Sequence, residues 1–209
     1  MECFKDYNDP YTCVPTSWEE LKQIIEDRDN KFGPGTKQKP IDFNDIDVSN
    51  IDSFCNINEG IFDSTKFEYI DISDWDVSNC ENINSMFFAC EQLKSVGDLS
   101  NWNVSKVEDM HNMFYNCKQL KYIGDLSDWN VSKVVNAGGA FSECCNLKSV
   151  GDLSKWNVSN VKSMSDMFYM CKQLKSVGDL SKWNVSKVNY MNNMFYDSGI
   201  TNIPDWYRG

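Results

Sequence analysis

The chain has one histidine, His111, in 209 residues. No two of its nine cysteines have the CxxC spacing of a zinc site, and Cys144 and Cys145 are adjacent. Neither a zinc centre nor a Ser-His or Cys-His nucleophile assembles from these residues. The sequence therefore points away from an enzyme and calls for no metal and no cofactor. It also has no basic stripe: the formal net charge is −11, and most of the acidic excess lies in residues 1–70. A nucleic-acid partner is not expected. No run of about 18 apolar residues occurs, so no membrane insertion is expected. The opening Met1-Glu2-Cys3-Phe4-Lys5 has no basic segment followed by an apolar run, and so does not read as a signal peptide. Together with nine cysteines, this favours a cytoplasmic or virion-associated protein, or a cell-surface one whose leader has been removed.

What the chain does have is a period. Trp75, Trp102, Trp129, Trp156 and Trp183 are spaced 27 residues apart. An exact period of this length is the mark of stacked copies of one supersecondary unit. Cys90, Cys117, Cys144 and Cys171 keep the same spacing, as expected of buried free thiols packed in one column. The tryptophans and the Met/Phe pairs Met86/Phe87, Met113/Phe114, Met167/Phe168 and Met194/Phe195 should fill the interior.

Three parts follow from the pattern. Residues 1–40 form an irregular leader and a capping helix. Ser17-Trp18-Glu19-Glu20 is a capping box opening an amphipathic helix that ends near Asn30, ahead of Gly33-Pro34-Gly35. Residues 41–203 hold the repeats, the first degenerate, with Ile46 in the tryptophan place. Residues 204–209 close the stack: Pro204 replaces an apolar strand position and cannot donate to a ladder, and Trp206 and Tyr207 follow. Within a repeat, Leu93–Leu99 reads as a strand, with Gly97, Gly124, Gly151 and Gly178 at a stacked bulge. Ser105 and Glu108 read as a second capping box. Val107, Met110, Met113 and Phe114 have the spacing of a helix of two to three turns. The expected fold class is α/β: a right-handed leucine-rich-repeat-like solenoid of about six 27-residue coils.

The motif DLSxWNVSxVxxMxxMFxxCxxLxxVG, found at Asp98–Gly124 and Asp152–Gly178 and with changes elsewhere, resembles the BspA-like leucine-rich repeat of bacterial surface proteins and mycoplasma proteins. The resemblance spans about residues 16–207. It implies a protein-binding or adhesion-type module and carries over no catalytic residues.

Two columns should lie on the strand face: Lys94, Lys121, Lys148 and Lys175, and Asp98, Asp125, Asp152 and Asp179. Stacked like charges repel, so the lysines are expected to neutralise the aspartates; a calcium ladder is the other chemistry such a column offers. Tyr122 interrupts a column of Ser95, Ser149 and Ser176 and is a candidate interface anchor. These nine charged and aromatic residues form the expected binding surface for a protein partner. The Asn-Val-Ser triplets at Asn103, Asn130, Asn157 and Asn184 match glycosylation sequons but arise from the repeat. One repeat replaces MxxMF with Ala137-Gly138-Gly139-Ala140-Phe141, which gives either a local bend of the stack or a dent that a partner fills. Two roles fit: a surface recognition module, or an intracellular or virion accessory protein that scaffolds or inhibits a host or viral protein.

Overall fold

A computed structural model describes residues 13–56, 59–63 and 65–209. Most of the leader lies outside the described residues. Its one α-helix among them, α1 (Trp18–Phe32), begins at Ser17, whose side chain accepts the Glu20 amide at 3.2 Å. Glu20 reaches one residue further back than a capping box requires, to the Thr16 amide at 2.8 Å. The helix runs two residues beyond Asn30 and stops where Gly33 takes φ +69. It buries Leu21, Ile24 and Ile25 against the first repeat. Arg28 fixes the docking. Its guanidinium makes two bonds to the Asp45 carboxylate, at 2.7 and 2.8 Å, and lies 5.0 Å from the Phe43 ring centre.

The repeats pack as parallel neighbours, each hydrogen-bonded to the next. Strand β1 (Ile41–Asp42) pairs in parallel with β4 (Ile70–Asp71), with Ile41 opposite Ile70. The hairpin β2 (Cys55–Asn56) and β3 (Glu59–Gly60) is the only antiparallel pair among the described residues. Single parallel bridges continue the pairing from Tyr69 to Ser95 to Tyr122. A second, longer series runs Ser53, Asn82, Asp109, Asn136, Ser163, Tyr190.

That second series falls where the sequence pattern predicts a helix, and the segments are not helical. In Ile83–Cys90 and its copies the chain makes consecutive turns. Alternate amides bond to the next repeat, not to their own. Met110, Asn112, Phe114 and Asn116 donate to the carbonyls of Asn136, Gly138, Ala140 and Ser142 at 2.8–3.0 Å. The same four-bond set recurs at each repeat junction from Ile83 to Tyr196. A helix is blocked because two residues per repeat take left-handed backbone, for example Asn112 at φ +54 and Asn116 at φ +61. Gly139 holds one of these places at φ +64. In the Ala-Gly-Gly-Ala repeat it suits the local backbone instead of costing helix stability.

The expected bulge glycines do take positive φ, from +85 at Gly178 to +96 at Gly124. Each also lies against the aspartate of the preceding repeat: a Cβ on Gly124 would sit 2.2 Å from Asp98 Oδ1.

The interior is a set of stacked columns. Trp102, Trp129, Trp156 and Trp183 lie parallel to within 3° at 6.4–6.5 Å between centroids. Each indole N–H donates to a carbonyl of the previous repeat, as Trp129 does to Leu99 O at 2.9 Å. Phe62, Phe87, Phe114, Phe141, Phe168 and Phe195 form a second stack at 4.9–6.0 Å. The cysteine column is buried and free, as its spacing predicts. Its thiols have a directional role: Cys90, Cys117, Cys144 and Cys171 donate to the carbonyls of Phe62, Phe87, Phe114 and Phe141 at 2.9–3.3 Å. Outside the column, Cys13 is disulfide-bonded. Ala137 lines a small apolar pocket, partly open to solvent, together with Met110, Trp156, Met164 and Trp183.

Candidate binding surface

The aspartates of the expected surface are exposed, and their geometry comes from the local turn. Asp98, Asp152 and Asp179 each cap a one-turn 3-10 helix, accepting the amides of Ser100, Ser154 and Ser181 at 2.9–3.0 Å. Asp125 accepts the Ser127 amide at 3.0 Å and its hydroxyl. These bonds hold all four carboxyls below the ordinary aspartate range. Ser127 Oγ in turn accepts the Asp152 amide at 2.7 Å, which ties the Asp125 turn to the next repeat.

The lysines do not neutralise these aspartates, and that expectation is corrected. Among the described residues no ion pair joins either column to the other. Lys94 pairs with Glu68 and sits 5.6 Å from the Tyr69 ring centre. Lys175 Nζ donates to Lys172 O at 2.9 Å. Lys121 and Lys148 are exposed. The aspartates need no such partner, because each already has the amide donors of its own turn. Nor do they converge on one point. Among the described residues no group of three or more His, Cys, Asp or Glu side chains is placed to hold a metal ion.

Tyr122 stands out in this frame. Its ring is 50% exposed, and its hydroxyl donates to Asp98 Oδ2 at 2.9 Å. The neighbouring carboxylate raises the phenol above its usual range. The structure thus brings Tyr122 and Asp98 together and aligns the lysines beside them, one per repeat.

The asparagines of the Asn-Val-Ser triplets fold back on their own turns. Asn103, Asn130, Asn157 and Asn184 each accept the amide of the serine two residues on, at 3.2 Å. This replaces the expected serine cap. A surface aromatic column went unread in the sequence. The residues after the interior phenylalanines, Phe88, Tyr115, Tyr169 and Tyr196, stack in pairs at 5.0 and 5.6 Å, interrupted at the buried Ser142. The signal was available, since each follows its phenylalanine directly at the 27-residue spacing. Among the described residues no helix is long and apolar enough to cross a membrane.

Parallel hydrogen-bonded repeats with stacked Trp, Phe and Cys columns define a tandem-repeat protein whose outer surface is itself periodic. The chain belongs to the family described as "Mycoplasma protein of unknown function, DUF285", whose model matches residues 29–149 and 124–206. No curated protein and no solved structure matches it.

Proposed function

We propose that this chain is a non-enzymatic protein-binding module: a leucine-rich-repeat-type solenoid of about six coils, of the BspA-like kind. It recognises a macromolecular partner through the face that carries Lys94, Asp98, Lys121, Tyr122, Asp125, Lys148, Asp152, Lys175 and Asp179. The observation that carries this reading is Tyr122. A half-exposed ring in a column that holds Tyr69 at its start and serine at Ser95, Ser149 and Ser176, and itself held by Asp98, has little side-chain freedom left to lose on binding. Tyrosine supplies large contact area on two rotatable bonds, and such rings anchor interfaces. The aspartates support the reading as well. Fixed by their turns and not ion-paired with the lysine column, they present a regular row of acceptors to a donor-bearing surface.

The test uses the intact chain as bait, beside a Tyr122→Ala/Lys121→Glu variant and a Lys106→Glu control outside that face. The proposal expects a protein retained by the wild type and the control, and released by the double variant. Retention by all three would place binding elsewhere.

A further inference from the structure

We propose that the edge of the last repeat takes up a polypeptide segment from a partner protein, laid in parallel along Met191–Asp197 in the consecutive-turn conformation of the inner repeats. This surface is separate from the Tyr122 face. At each preceding junction four alternate amides are satisfied by four carbonyls of the next repeat, as Met164, Asp166, Phe168 and Met170 are by Tyr190, Asn192, Met194 and Tyr196 at 2.7–2.9 Å. In the last repeat the corresponding donors are the amides of Met191, Asn193, Phe195 and Asp197. Among the described residues none of these has an acceptor.

The chain does not cover them after it leaves the repeat. It turns inward, burying Ile200 and Pro204. Trp206 then sits on Trp183 at 6.2 Å, and Tyr207 lies edge-on to Phe195 at 5.1 Å. The apolar interior is largely covered, with Val185, Val188 and Met191 left half-buried, while the backbone row beside it stays open.

Along Met191–Phe195 the row presents donors. The carbonyls of Met191, Asn193 and Phe195 already accept the amides of Met194, Tyr196 and Ser198 within their turns, and the junction's acceptor lies ahead of the row at Asn189 O, the counterpart of Lys162 O. Two copies of this edge face to face would set donor against donor. Among the described residues the opposite end of the molecule is covered. There α1 and the β2–β3 hairpin cover the stack, with Lys22 Nζ bonded to the carbonyls of Gly60 and Asp63 at 3.1 and 3.3 Å. The complement is a parallel segment with alternate carbonyls free, as each inner repeat offers its neighbour; the principle is that of strand addition to an open backbone edge. Tyr196 adds a side-chain requirement. It is 62% exposed and ends the outer stack on Tyr169, so its free face continues that stack with an aromatic residue of the incoming segment.

The experiment uses the intact, isotope-labelled chain and a synthetic peptide of residues 163–172 carrying Cys171→Ser, which offers the carbonyl pattern and the Met-Phe-Tyr sequence found at the inner junctions. Amide hydrogen exchange is read by NMR. Without peptide, the Met191, Asn193, Phe195 and Asp197 amides should exchange at least about 100-fold faster than those of Met164, Asp166, Phe168 and Met170. With peptide they should slow about 10-fold or more. Tyr196→Ala should weaken peptide binding roughly 3- to 10-fold, and Tyr122→Ala should leave it unchanged. Three results would overturn the proposal: amides already slow in the dilute free chain, slowing that grows with protein concentration alone, or a peptide that acts elsewhere or nowhere. Equal slowing by a peptide with Phe168 and Tyr169 replaced by serine would overturn the aromatic requirement.

Discussion

The indole N–H of Trp206 donates to the carbonyl of Leu180 at 2.8 Å. Trp206 therefore fills the next place in the tryptophan column, although the sequence around it has lost the repeat. The bond shows how one residue both carries the packing forward and closes it. It also explains why tryptophan holds the column. Only tryptophan offers a broad stacking surface together with a donor that reaches a carbonyl of the previous repeat. Trp129→Phe retains a ring between Trp102 and Trp156 but removes one of the two donors to the Leu99 carbonyl, which keeps the Trp102 amide at 3.1 Å. It should cost about 0.5–1.5 kcal/mol in denaturant unfolding, and Trp129→Ala about 3–5 kcal/mol.

Glycine at the bulge is required on two counts. At Gly124 a side chain would meet Asp98 Oδ1 at 2.2 Å and the Leu99 amide nitrogen at 2.9 Å, at φ +96. Gly33 has a similar positive φ with nothing within 4 Å of a Cβ. Gly124→Ala should therefore lower stability by about 2–4 kcal/mol, and Gly33→Ala by about 1 kcal/mol. Comparing the two unfolding midpoints separates the steric part from the backbone part.

The buried thiols should be silent in the native protein. Burial raises Cys90, Cys117, Cys144 and Cys171 far above the ordinary thiol range, and raises Cys80 to about 12. Among the described residues, reaction with a thiol reagent near neutral pH should be confined to the half-buried Cys55 and Cys145, and should reach Cys80, Cys90, Cys117, Cys144 and Cys171 only in denaturant. Cys117→Ala removes the donor to Phe87 O and should cost about 1–2 kcal/mol.

How much of this was legible follows from what each residue does. The columns were legible because burial repeats with the sequence: Trp, Phe, Cys and Leu recur at fixed spacing and do pack on one another. The capping helix was legible from Ser17 and its apolar face. The conformation of the Met110–Cys117 segment was not. Its apolar spacing matches a helix, but Asn112 and Asn116 adopt left-handed backbone, and inter-repeat bonds outweigh the local pattern. Asparagine tolerates that conformation better than most residues, yet Ser85, Met170 and Asp197 occupy the same columns, so the column has no single residue signature. On the surface, the alignment of the lysine and aspartate columns was legible, and their pairing was not. Two charges four residues apart on paper meet only if no nearer partner exists, and Ser100 is nearer to Asp98.

Acid should weaken the fold through the aspartate turns. Asp98, Asp125, Asp152 and Asp179 all have folded-state values below the unfolded one. Their contribution is present above the unfolded aspartate value of about 4 and is lost as pH falls through the lower folded values. The thermal midpoint should therefore drop between about pH 5 and about pH 2. Asp152→Asn keeps an acceptor for the Ser154 amide but does not titrate, and should flatten part of that drop. A profile identical to the wild type would remove Asp152 from the explanation.

Tyr122 is where the structure and the proposed function meet. Once a partner has been captured, its equilibrium affinity should be measured for the intact wild type, Tyr122→Phe and Tyr122→Ala. Tyr122→Phe keeps the ring but frees it from Asp98, and should weaken binding by less than about 10-fold. Tyr122→Ala should cost at least about 2 kcal/mol, roughly 30-fold in affinity. An affinity for Tyr122→Ala within about twofold of the wild type would contradict the assignment of this face as the binding surface.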